Sequence, residues 1–139
     1  MKPQFWLVKQ EPDKYSWDNF IEDKHTIWDG VRNYQARNNL KAMRIGDTVL
    51  FYASVETKAV MGIAEVTKTA FPDKTADVEG WVAVELKAIK GLSKPVTLAQ
   101  IKQEASLSTI ALVRNSRLSV SSLTHEQYNR ILALSKKNT

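Results

Sequence analysis

Residues 48–68 read TVLFYASVETKAVMGIAEVTK, and this stretch decides the fold class. Apolar, β-branched and aromatic residues fill both of its ends, and the polar sequence SVETK separates them. This composition is typical of two β-strands, predicted at 48–53 and 59–68, that return antiparallel through a short connection. Gly62, inside the second strand, indicates either a bulge or a close approach of another group to the backbone.

The flanking sequence predicts further strands and a set of capped helices. Thr97 with Gln100, and Thr124 with Gln127, match the capping-box spacing that begins a helix. Ala36, Leu40 and Met43 recur at the helical spacing of a core-facing stripe, and Gly46 follows them. Strands or extended pieces are predicted at 5–9, 27–28, 81–89 and 117–120, and helices at 16–21, 33–43, 97–104 and 124–135.

These elements predict an α+β fold, a twisted antiparallel β-barrel flanked by helices. The chain has 139 residues, which suits a single domain spanning residues 1–139. Only five glycines and four prolines are present, and no repeat or low-complexity segment suggests a linker.

Composition argues against several kinds of chemistry. The absence of cysteine excludes disulfides, thiolate metal sites and cysteine nucleophiles. We interpret the two histidines, His25 and His125, as surface residues, so we predict no metal site, cofactor or catalytic residue. No apolar run approaches the roughly 20 residues of a membrane helix, and no signal peptide is recognisable. The protein is therefore expected to be cytoplasmic, without a membrane partner.

Positive charge is clustered rather than spread along the chain. The net charge is +5, and residues 30–46 contain four basic residues and no acid. A second acid-free stretch, residues 105–125, contains two arginines. Such clusters are often merely solvated faces, but they also suit phosphate groups. The candidate phosphate contacts are Arg32, Arg37, Lys41, Arg114 and Arg117, of which Arg117 has an alternative structural role.

Aromatic residues are concentrated next to the first basic cluster. Nine of the twelve lie within residues 5–52, including the adjacent pairs Phe5/Trp6 and Phe51/Tyr52. Neighbours on a strand point to opposite faces, so one ring of each pair either lies under a helix or faces a pocket. Rings that stack a base, amides that read its edge and cations that hold phosphates are the parts of a single-base reader.

Several ordered motifs resemble the EVE-domain family. They are WLVKQEP at 6–12, YSW at 15–17, WDGVRN at 28–33, ARNNL at 36–40, GD at 46–47, GIAEV at 62–66 and RLSV at 117–120. The resemblance extends from Phe5 to Leu134 and implies a PUA-like fold that binds modified bases without catalysis, particularly modified cytosine in DNA, with modified RNA also open. Ala53, Asn115 and Tyr128 depart from residues that are common in the family.

On this resemblance we predict a partner DNA or RNA that carries a modified base, bound by a monomeric protein. The candidate pocket contains Trp6 and Trp28 as walls and Asn33, Tyr52 and Ser54 as hydrogen-bonding groups. Ser16 and Ser119 are weaker candidates, because a helix cap and ordinary strand polarity explain them equally well. Two alternatives stay open: a sensor of a nucleoside-like small molecule or interaction module, and an enzyme that acts on a modified base.

Overall fold

The computed structural model describes residues 3–138, which form six strands, five α-helices and a short 3-10 helix. Most of the predicted elements are present, several with shifted ends. The strands are β1 (Phe5–Gln10), β2 (His25–Trp28), β3 (Thr48–Ala53), β4 (Ala59–Pro72), β5 (Val82–Thr97) and β6 (Val120–Leu123). The helices are α1 (Trp17–Asp23), α2 (Tyr34–Ala42), α3 (Leu98–Gln103), α4 (Ala111–Arg114) and α5 (His125–Lys137), with the 3-10 helix at Ala105–Leu107.

The strands form one mixed sheet in the order β2-β5-β4-β3-β1-β6. The mixture of helices and strands confirms the predicted α+β class. Within residues 3–138 the two edge strands, β2 and β6, do not pair with each other, so the predicted closed barrel is wrong. The sheet is also not wholly antiparallel, because β1 runs parallel to β3. Helix α2 contacts β6 as well as β4 and β5, and Asn39 Nδ2 donates to the Val120 carbonyl at 2.6 Å. A helix therefore covers the edge that strand pairing would close in a barrel.

Gly62 lies both at an irregularity in the sheet and under a closely approaching side chain, the two alternatives that its position in the sequence indicated. The β3–β4 register shifts beside it, between Phe51 and Tyr52. The Trp17 ring also lies directly over Gly62, and a Cβ built there would fall 2.1 Å from Trp17 Cζ2. Only a residue without a side chain fits under this ring.

The sheet separates two hydrophobic clusters, as the alternation along its strands requires. On one face Trp6, Val8 and Phe51 pack with residues of α1 and α2. On the other face Leu7, Leu50 and Tyr52 pack with residues of α3 and α5. The adjacent aromatics Phe51 and Tyr52 thus point to opposite faces, which confirms that prediction.

Candidate nucleic-acid interface

Helix α2 carries most of the acid-free basic segment, and its packing decides which side chains reach the surface. The Oδ1 atom of Asn33 accepts the Ala36 N–H at 2.9 Å and caps the helix. Ala36 and Leu40 are buried, as is Met43, which ends the helix. Two sides remain outside this stripe. Tyr34, Arg37 and Lys41 share one, and Gln35 and Asn39 share the other.

The first side of α2 borders a cleft of about 480 Å³ beside the loop that joins β4 to β5. We call it the aromatic cleft; its lining includes Lys41, Phe71, Asp73, Asp77, Glu79 and Trp81. Tyr34 stacks on Trp81 with ring centroids 5.1 Å apart and planes 23° apart. The Arg37 guanidinium carbon lies 5.0 Å from the Tyr34 centroid and 5.6 Å from that of Trp81. Rings and cations therefore meet on one surface.

A buried carboxylate fixes the wall of the aromatic cleft to the start of α2. Asp73 accepts hydrogen bonds from Gly30 N at 2.9 Å, from Arg32 Nη1 at 2.9 Å, and from both the backbone and the hydroxyl of Thr75. Burial alone would raise the pKa of Asp73, but these hydrogen bonds outweigh it and hold the pKa well below its usual range. The same contacts leave Arg32 5.7 Å from the Trp81 centroid.

The depressed pKa predicts an acid-dependent loss of stability. The contribution of Asp73 is fully present above its unfolded pKa of about 3.9 and is lost as the pH falls through the lower folded value. We therefore expect Asp73→Asn to destabilise the protein clearly at pH 6 and less at pH 2.5, where part of the contribution is already lost. Urea unfolding of both proteins at the two pH values measures this. An equal difference at both would show that the carboxylate charge contributes nothing.

The second side of α2 borders a more polar cleft of about 430 Å³, which we call the amide cleft. It lies between α2, the segment around α4 and strand β6, and its lining includes Gln35, Asn39, Arg114, Asn115, Ser121 and Gln127. Side-chain amides both donate and accept, as the edges of bases do, so they can pair with a base edge in a bidentate way. Arg114, whose Nε donates to the Ser108 carbonyl at 3.2 Å, adds a cation here.

The three aromatic members of the predicted pocket are enclosed and lie on both faces of the sheet. Trp6 and Trp28 are 5% and 4% exposed in one cluster, whereas Tyr52 is 2% exposed in the opposite one. The Trp6 indole N–H donates to Asp47 Oδ2 at 2.9 Å, and Trp28 meets the Phe51 ring edge-on. The structure does not bring these three rings into one pocket, and their roles in binding stay predictions.

Two polar members of the predicted pocket cap helices, and the backbones of two others pair with β1. Ser16 caps α1 by accepting the Asn19 N–H at 3.0 Å, and Asn33 caps α2. The Ser54 N–H donates to the Gln10 carbonyl, and the Ser119 carbonyl accepts the Lys9 N–H. Strands β1 and β3 run parallel, so the structure brings Ser54 and Ser119 to the same end of the sheet, beside the last residues of β1.

The candidate phosphate contacts divide into two groups around α2. Arg32, Arg37 and Lys41 lie together at the aromatic cleft, where two of them flank Trp81. Arg114 lines the amide cleft on the other side of the helix, and Arg117 is exposed in the following turn. Arg44, the fourth basic residue of the acid-free segment, lies outside α2, which ends at Ala42, and its N–H donates to Asp47.

The comparisons with known proteins agree on one family. The sequence profile described as EVE domain matches residues 4–134 of this chain. The chain belongs to the EVE domain family. Thymocyte nuclear protein 1 from Homo sapiens is 31% identical to it, in an alignment that covers 95% of this chain and 74% of the relative.

Solved structures with the same EVE fold span distant organisms. Rpa0253 from Rhodopseudomonas palustris superposes with a TM-score of 0.90 at 40% identity, covering 98% of this chain and 95% of that one. Human THYN1 protein, in complex with DNA that contains 5-methylcytosine, superposes with a TM-score of 0.85 at 29% identity, covering 96% and 98%. The resemblance seen in the sequence motifs is thus confirmed.

Sequence reasoning missed three residues of this EVE domain surface. The sequence predicts for Trp81 only the start of a strand, and it assigns Tyr34 no specific role. Their contact joins positions far apart in the chain, so no local pattern reveals it. Lys9 is half-buried, which lowers its pKa, and its Nζ donates to the Ser116 carbonyl at 2.5 Å. A lysine inside a predicted strand, next to core residues, was the available signal.

Among residues 3–138 of the EVE domain, no helix is both long and apolar enough to cross a membrane. No group of three or more histidine or acidic side chains in the same part of the chain is arranged to hold a metal ion.

Proposed function

We propose that the chain is one EVE domain that binds DNA and reads a single modified base, with modified cytosine as the preferred class. The observation that carries this proposal is the likeness, over 96% of this chain, to human THYN1 protein in complex with 5-methylcytosine DNA. That complex also supports a binding module rather than an enzyme. The basic and aromatic surface of α2 supplies groups of the kind that such a ligand needs.

The proposed path of the DNA backbone runs along α2. Arg32, Arg37 and Lys41 hold phosphates beside the aromatic cleft, and Arg114 and Arg117 hold them at the amide cleft and in the turn that follows α4. Contacts of this kind position the DNA without reading its sequence. Residues 30–46 contain no acid, so no carboxylate of α2 itself opposes these cations.

The proposed site for the base borders the same helix. The amide cleft has a volume in the usual range for small-ligand pockets, and its amides suit the donor and acceptor pattern of a base edge. Ser119 immediately precedes β6 and is the member of the predicted pocket nearest in sequence to Arg114 and Asn115, which line this cleft. Ser16, Asn33 and Ser54 remain proposed polar contacts of the base. Trp6 and Trp28 remain proposed pocket walls, and Tyr52 remains a proposed hydrogen-bonding group. For Trp28, unfolding of the Trp28→Ala variant tests whether the ring belongs to the core or to the pocket.

The phosphate path predicts a specific salt dependence. Arg37→Ala and Lys41→Ala should each weaken binding to methylated and unmethylated duplexes alike. Each should also lower the slope of log affinity against log salt by about 0.9, the value for one lost phosphate contact on B-DNA. Fluorescence anisotropy at several salt concentrations measures both quantities.

Lys102→Ala is the matched control, because Lys102 is an exposed lysine on α3, on the opposite face of the sheet. It removes the same unit charge and should leave the slope unchanged. Salt-independent binding by the wild type, or an equal effect of Lys102→Ala, would rule out the path along α2.

A further inference from the structure

Tyr34 and Trp81 form an aromatic surface that packing alone does not explain. Tyr34 is 67% exposed, although it belongs to a helix whose apolar stripe faces the core. Its ring gains its partner from outside the helix, by stacking on Trp81. An exposed ring that is held in one orientation loses little conformational freedom when a flat ligand stacks on it.

The cations around this pair decide which ligand it suits. Arg37 lies against both rings, and Arg32 lies against Trp81 while Asp73 holds it in place. The two guanidinium groups lie beside the rings and repel a cationic ligand. They attract an anion that carries a flat ring. A nucleotide combines the two features.

The geometry points to a stacking platform, formed by Tyr34 and Trp81, for one unpaired nucleotide base whose phosphates lie on Arg37 and Lys41. This inference rests on the proposed binding of nucleic acid and adds a site separate from the modified base. Asp77 and Glu79 line the aromatic cleft together with Lys41 and Trp81. Their carboxylates repel phosphates, so the strand runs from Lys41 toward Arg37 and Arg32 rather than deeper into the cleft.

The test compares two single-stranded probes, a decamer of thymidine and a decamer of abasic deoxyribose with the same phosphates. The wild type should bind the thymidine strand about five- to a hundredfold more tightly, because one base stacks on the platform. Tyr34→Ala should remove this preference and bind the two strands equally. Tyr34→Phe, which keeps the ring, should retain it. Ile45→Ala, at another exposed apolar residue, should behave as the wild type.

Trp81→Phe serves as a second variant, since it keeps a ring under Tyr34 while Trp81→Ala removes it. Equal binding of the two decamers by the wild type would overturn the platform, as would a full preference in Tyr34→Ala. A protein that prefers the thymidine strand but does not distinguish methylated from unmethylated duplexes supports the platform and contradicts the modified-base proposal. A protein that distinguishes the two duplexes but binds the two decamers equally supports modified-base reading and contradicts the platform. A protein that binds neither the decamers nor the duplexes contradicts both.

Discussion

Trp28→Ala is expected to lower the free energy of unfolding by about 3–5 kcal/mol, the cost of deleting a large aromatic side chain from a packed core. The Trp28 ring is 4% exposed and meets Phe51 edge-on at a centroid distance of 5.7 Å. Its removal leaves a cavity under the cluster formed by β1, β3, α1 and α2. Urea unfolding measures the loss as a lower midpoint at an unchanged slope.

Affinity measured on the same variant separates the two roles open to Trp28. A pocket wall that stacks a base is worth roughly 1–3 kcal/mol of binding. A variant that unfolds at the wild-type urea concentration, yet binds the methylated duplex tenfold or more weakly, would contradict the core role and support Trp28 as a pocket wall. Trp28→Phe is the graded control, because it keeps a ring beside Phe51 and should lose clearly less stability than Trp28→Ala.

Gly62→Ala is expected to cost about 3 kcal/mol, at the upper end of the usual penalty for overpacking. The added Cβ would lie 2.1, 2.4 and 2.5 Å from three carbons of the Trp17 ring. The ring has little room to retreat, since it packs against Phe20 and Phe51 with centroid distances of 5.5 Å each. Either β4 bends away from α1 or the whole aromatic cluster shifts.

Gly91→Ala provides the matched control in the neighbouring strand. Gly91 pairs with Gly62 in register, but a Cβ there meets its nearest neighbour, Trp17 Nε1, at an ordinary 3.4 Å. Its effect should stay within about 0.5 kcal/mol. Combining Gly62→Ala with Trp17→Phe should cost less than the sum of the two single changes, because the smaller ring relieves the overlap. Strict additivity in this cycle is the outcome that would exclude the clash.

Local patterns predicted the elements whose signals are local. Strand β3 begins at Thr48 and ends at Ala53, as its run of apolar and β-branched residues indicated. Thr97 and Thr124 cap helices through the predicted capping boxes. Both signals depend on residues that are close together in the sequence, so no tertiary information was needed.

Elements with weak local signals were missed or misplaced. Helix α4 has only four residues and no side-chain cap at Ile110, so nothing in its sequence announced it. The last strand was expected at 117–120 but occupies Val120–Leu123, because the Leu118 N–H closes a turn onto the Asn115 carbonyl. Strands β4 and β5 extend past their predicted ends because each supports the other along most of its length.

The candidate surface could likewise be predicted only where its features depend on residues that are close together in the sequence. The basic segment at residues 30–46 was recognisable from charge alone, since its four basic residues are close together in the sequence with no acid between them. The partner of Tyr34 was not, because only the folded loop between β4 and β5 brings Trp81 to it. The open sheet was missed for a similar reason, since the contact of α2 with β6 depends on how the whole chain wraps.

The central claim is that this EVE domain distinguishes a modified base from its parent. The most direct measurement is the affinity of the wild-type protein for two duplexes of one sequence at one salt concentration, with 5-methylcytosine at a single position in one and cytosine in the other. Discrimination by contacts to one base is worth about 1–3 kcal/mol, so the methylated duplex should bind about five- to a hundredfold more tightly. Equal affinities for the two duplexes would contradict the claim and leave only a protein that binds polyanions.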